Sequence, residues 1–160
     1  MANNHELITP SPSQFAACDG FAIRNADALV LIGRVLLGLL FLMNVWPRLM
    51  AGPVPGFARY LASLGFPAPE FFAWLSTAIE IVGCLALILG VATRYGALLL
   101  LLYVIIATAV AHRYWQYPAA AQVAQYNNFI KGLAIMGGLL LLYVTGAGRF
   151  SIDGWLRKRG

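Results

Sequence analysis

Four long apolar stretches alternate with short polar segments along this chain, and the second of them, Phe71 to Thr93, sets the frame for the others. At 1.5 Å per residue, a helix of that length spans a hydrocarbon core of ~30 Å. Its one carboxylate, Glu80, falls near the middle. A charge at that depth costs about 3 kcal/mol on insertion scales, so it must face protein or water and have a partner. At helical spacing Ser76 and Thr77 lie one turn before Glu80, with Gly83 and Cys84 one turn after. This small, polar stripe on an apolar helix has the make-up of a helix–helix contact in lipid.

The other crossings follow from the same pattern. The first is expected over about 28–50, where Arg34, Gly38, Phe41, Asn44 and Arg48 share one helical face. Its Trp46-Pro47-Arg48 end combines an interfacial aromatic with a proline and a cation long enough to reach the headgroups. Residues 51–70 form a Pro- and Gly-rich connector in which Phe57, Tyr60, Leu61 and Leu64 follow the i, i+3, i+4, i+7 rule. That predicts a short amphipathic helix in the membrane interface, ended by Gly65 and the Pro67-Ala-Pro69 turn. The third crossing, 95–111, carries no charge and reads as lipid-facing packing. After an aromatic and amide-rich loop over 114–127, the fourth runs over 128–145, with Lys131 one turn inside. Residues 1–27 read as a flexible cytoplasmic tail, in which 15–23 has some apolar character for the membrane surface. Residues 151–160 read as a basic interfacial tail opened by Ser151-Ile-Asp153. The fold class is therefore all-α: an integral membrane four-helix bundle over 28–150.

Composition agrees. Of 160 residues 61% are hydrophobic and only 11% charged, against about 25% charged in soluble domains. The net charge of +5 does not signal nucleic-acid binding, because the cations sit at helix ends beside lipid headgroups. Counted by side, Arg24, Arg94, Arg149, Arg157, Lys158 and Arg159 oppose Arg48, Arg59 and Arg113, which favours both termini in the cytoplasm. Cys18 and Cys84 lie in different environments, so no disulfide is expected, and the sequence has no metal-ligand cluster.

The candidate chemistry lies in the buried charges. Depths of about 8 Å for Arg34 and about 14 Å for Glu80, both from the cytoplasmic side, suggest an Arg34–Glu80 ion pair. Lys131 would approach from the outer side, and Tyr103 and Tyr143 would add hydroxyls to the network. Asn44, Arg48 and His112 are secondary candidates. Such a cluster either fixes helix packing alone or forms a polar site that holds a headgroup or moves protons.

Several segments together resemble the DoxX family. They are Arg34-Val-Leu-Leu-Gly-Leu-Leu-Phe41 leading to Arg48-Leu49, Leu64-Gly-Phe-Pro67, and Ile79-Glu80-Ile-Val-Gly83 running into Leu89-Gly-Val-Ala-Thr93-Arg94. Asn128-Phe-Ile-Lys131, Ile135-Met-Gly-Gly138 and Gly146-Ala-Gly148-Arg149-Phe-Ser-Ile-Asp153 complete the set. Where the family often has Gly-x-x-Lys this chain has Val45-Trp-Pro-Arg48, and in place of Lys-Asn it has Lys131-Gly132. The resemblance implies a multi-pass protein of the bacterial inner membrane, associated with a membrane redox complex in the manner of thiosulfate:quinone oxidoreductase subunits. A quinone and a redox partner protein would then supply the electron chemistry, with Glu80 as the candidate catalytic proton acceptor and Arg34, Glu80 and Lys131 around the headgroup. A small transporter or channel, acting as a homo-oligomer, and a structural or assembly protein are the alternatives.

Overall fold

The apolar stretches become helices because in hydrocarbon every backbone N–H and C=O must be bonded within its own segment. A computed structural model describes residues 12–50 and 55–159. Helix α1 spans Pro12–Arg24, α2 Ala26–Met50, α3 Pro55–Ser63, α4 Pro69–Leu89, α5 Thr93–Ala111, α6 Ala119–Thr145 and α7 Ile152–Leu156. Of these, α2, α4, α5 and α6 are long and apolar enough to cross a membrane, α5 running on through a 3-10 turn at Tyr114–Gln116. No strand occurs among the described residues.

Three elements differ from the sequence expectation. The described part of the N-terminal tail, Pro12–Arg24, is helical rather than irregular, and residues 1–11 lie outside the described residues. Helix α6 begins at Ala119, well before residue 128. Pro118 stands just ahead of it and Ala-Ala-Ala-Gln follows, a good helix start that the nearby aromatics obscure. Helix α5 is not a lipid-facing filler. It packs against both α4 and α6 and buries Gly96, Ala97, Leu100, Leu101 and Val104.

Small residues set the register of the bundle. A Cβ on Gly38 of α2 would lie 2.5 Å from Ile88 of α4 and 3.2 Å from the Cys84 carbonyl, so these backbones approach closely. The same antiparallel pairing places Gly90 beside Arg34 at one end and Glu80 beside Asn44 at mid-depth. Between α4 and α5, Gly83 lies under Leu100 and Gly96 under Ala86. Between α5 and α6, Gly132 receives Thr108. Gly83→Ala is therefore expected to lower bundle stability by about 1–3 kcal/mol through overpacking. Gly137→Ala, where a Cβ meets nothing within 4 Å, is expected to leave it unchanged or slightly higher. Thermal unfolding of both variants in detergent measures the difference.

Beyond α6 the chain folds back over one end of the bundle. Ser151 caps α7 by accepting from the Gly154 N–H, as its position ahead of Ile152 suggested. The Asp153 carboxylate accepts from the Ala92 and Thr93 N–H groups (2.8 and 3.0 Å), which open α5, and its own N–H donates to the Gly90 carbonyl. Burial raises the Asp153 pKa, but those two backbone N–H groups and the nearby Arg157 outweigh it and hold the carboxyl below the usual carboxylate range. The Arg149 N–H reaches back to Asp27 at the start of α2.

Candidate functional site

The polar stripe expected on α4 faces the bundle. Thr77, Glu80, Gly83 and Cys84 are all buried, and Glu80 has no exposed surface. Three donors converge on its carboxylate. Asn44 Nδ2 donates to Oε2 at 2.6 Å, Arg48 Nη2 to Oε1 at 2.5 Å, and the Tyr103 hydroxyl also to Oε1. A carboxylate presents only acceptor oxygens, so this donor set matches it. Arg48–Glu80 is the one salt bridge found among the described residues.

Local sequence explains the convergence. Asn44 and Arg48 are one turn apart on α2 and share a face despite the intervening Pro47, which α2 accommodates near its end. Tyr103 comes from α5, the helix that reads as inert from its lack of charge. Three helices thus meet at one carboxylate.

Sequence reasoning puts the wrong arginine in this role. Arg34 is buried, but it faces Gly90, ten residues and about 15 Å along α4 from Glu80. Its Nη2 donates instead to the Phe150 carbonyl, while Nε and Nη1 have no hydrogen-bond partner. The ends of α2 and α4 are not level: Gly38 meets Ile88 and the Cys84 carbonyl, an offset that sets Arg34 beside Gly90 rather than Glu80. Lys131 is also away from the site: it is exposed on α6, which packs on α5 and α2 rather than on α4. Tyr143 is exposed too and takes no part.

Above the cluster opens a cavity of about 510 Å³, within the ~300–1,000 Å³ usual for small-molecule sites. Its walls are apolar: Leu61, Leu64, Phe66 and Phe72 on one side, Leu102, Ile106 and Val110 on the other. Asn44, Arg48, Ser76 and Tyr103 supply polar groups at its lining, and His112 stands there with Nδ1 2.9 Å from Gln125 Oε1. Helix α3 lies across it. Ala58 and Leu61 pack on Ala73, Phe57 stacks under the Arg48 guanidinium at 4.7 Å, and the Tyr60 hydroxyl donates to the Ala111 carbonyl at 3.4 Å. Arg48 Nη1 is buried without a hydrogen-bond partner.

Residues 29–113 match the DoxX family, the segment that carries α2 through α5 and hence every donor to Glu80. The chain belongs to the DoxX family. Inner membrane protein YphA of Escherichia coli is 34% identical over 125 residues, 78% of this chain and 88% of that protein. Inner membrane protein YqjF of the same organism is 32% identical over 136 residues, 83% of this chain and 95% of YqjF. ER-derived vesicles protein ERV29 of Saccharomyces cerevisiae is 28% identical over 140 residues, 87% of this chain but 45% of its own length. No solved structure matches. As a DoxX-family protein with four crossing helices, the chain is embedded in the lipid bilayer. The cation at the end of the first crossing, Arg48, one turn from Asn44, is the signal in the sequence that points to the partner of Glu80.

Proposed function

We propose that this protein holds the headgroup of a quinone in the cavity beneath α3, as a subunit associated with a redox complex of the bacterial inner membrane. The observation that carries this reading is the Arg48 guanidinium. One of its nitrogens is engaged by Glu80, Nη1 is buried without a partner, and the residue lines an apolar cavity. A quinone carbonyl is a neutral acceptor on a ring with an apolar tail, and it suits one charged donor set among apolar walls. When bound, a quinone supplies acceptance of two electrons and two protons, with the electrons coming from a partner protein.

The chain's own residues would divide the remaining work. Arg48 donates to the carbonyl oxygen and Asn44 holds the far oxygen of Glu80 in place. Tyr103 lines the cavity and donates to Glu80, so its hydroxyl connects the headgroup with Glu80 as proton acceptor. Helix α3 covers the site and keeps lipid tails from the polar lining. The excess of basic residues at the α4–α5 turn and at both termini supports their cytoplasmic location, which puts the cavity in the outer half of the membrane.

Lipid extracts of protein purified in mild detergent test the reading. Quinone is expected to be enriched over bulk membrane in the wild type and depleted in Glu80→Gln that retains its helicity and elution position. Equal quinone content in protein and bulk membrane would overturn it.

A further inference from the structure

A second cleft, of about 450 Å³, opens at the opposite end of the bundle, where the α4–α5 turn, the end of α6 and α7 meet. Arg94 and Arg157 line it. Each guanidinium is fixed by one hydrogen bond to a backbone carbonyl, Arg94 Nη2 to Val144 at 3.2 Å and Arg157 Nε to Asp153 at 3.3 Å. An arginine has five N–H donors, so both retain several for an incoming anion. The cleft's one carboxylate, Asp153, is engaged by the Ala92 and Thr93 N–H groups. Two guanidiniums against one carboxylate leave a net positive cleft, and Lys158 and Arg159 follow directly on α7.

The apolar side of this cleft is just as specific. Tyr95 and Leu156 line it and are 78% and 54% exposed, on a rim that sits at the ends of crossing helices. A soluble anion gains nothing from that surface, whereas a lipid places its phosphate and its chains on both parts at once. We infer that this cleft binds the headgroup of an anionic phospholipid from the leaflet in which the α4–α5 turn lies. The phosphodiester sits between Arg94 and Arg157, and the acyl chains run along Tyr95 and Leu156. This site is separate from the cavity beneath α3 and does not depend on what that cavity holds.

Native mass spectrometry of the full chain in mild detergent tests it, with added phosphatidylglycerol, phosphatidylcholine or inorganic phosphate. The wild type is expected to retain one phosphatidylglycerol in preference to phosphatidylcholine, undiminished by inorganic phosphate. Arg94→Gln with Arg157→Gln is expected to weaken retention about 30-fold, since each cation near the surface contributes about fivefold. Arg113→Gln, at the other end of the bundle, is expected to behave as wild type. Should the double variant not fold, salt titration of the wild type serves instead, with retention falling as ionic strength rises. Equal retention of the two lipids, full retention by the folded double variant, salt-independent retention, or displacement by inorganic phosphate would each overturn the inference.

Discussion

Replacing Arg48 with methionine is expected to destabilise the bundle by about 3–5 kcal/mol, the cost of removing one partner from a buried ion pair. The carboxylate of Glu80 would remain fully buried with only Asn44 and Tyr103 to face it. Most of the penalty would come from that uncompensated charge rather than from lost packing. The double variant Arg48→Met with Glu80→Leu is therefore expected to be more stable than Arg48→Met alone, although Asn44 and Tyr103 then lose an acceptor at about 1–3 kcal/mol each. Denaturant titration of the four proteins in a double-mutant cycle measures the coupling. Additive effects would show that Arg48 and Glu80 do not act as a pair. Arg34→Met is the contrasting case, because its loss leaves no carboxylate unpaired.

The second large effect is expected at Gly90. This residue ends α4 with φ of +70°, a conformation that costs a residue bearing Cβ about 1–2 kcal/mol. A methyl there would also run into the Arg34 guanidinium and the Ser151 side chain, which lies 2.5 Å from the Cβ position. With overpacking of about 1–3 kcal/mol added, Gly90→Ala is expected to cost about 2–5 kcal/mol in all. It should also loosen the segment after α6, since Asp153 N–H bonds the Gly90 carbonyl. Faster proteolysis near residues 146–159, with the lower unfolding temperature, checks both parts. An unchanged cleavage rate would mean that Gly90 does not hold that segment.

Much of this architecture is legible in the sequence because lipid imposes a simple rule. A span must be apolar, long and helical, so the four crossings and the short helix after the first can be read from hydropathy and period alone. The buried stripe around Glu80 is legible for the same reason, as an isolated carboxylate in hydrocarbon demands company. What stays hidden is relative helix offset. Arg34 and Arg48 lie on the same face of α2, and choosing between them requires knowing that Gly38 meets Ile88 and Cys84. No periodicity within one helix reports that. Tyr103 is legible as a hydroxyl in need of a partner, but the role of α5 is not, because packing on two sides leaves no charge to mark it. Lys131 is misplaced because a helix start at residue 128 sets it one turn inside, whereas α6 begins at Ala119 and Lys131 is exposed near its middle.

The bond from Arg34 to the Phe150 carbonyl has a temporal side. Its two ends are separated by 116 residues, so during synthesis the guanidinium emerges long before its acceptor exists. Until then Arg34 must be hydrated or held among headgroups, and α2 cannot settle at its final depth. The bundle is therefore expected to close at that end only after its four crossings are made, because the Phe150 carbonyl is synthesised after all of them.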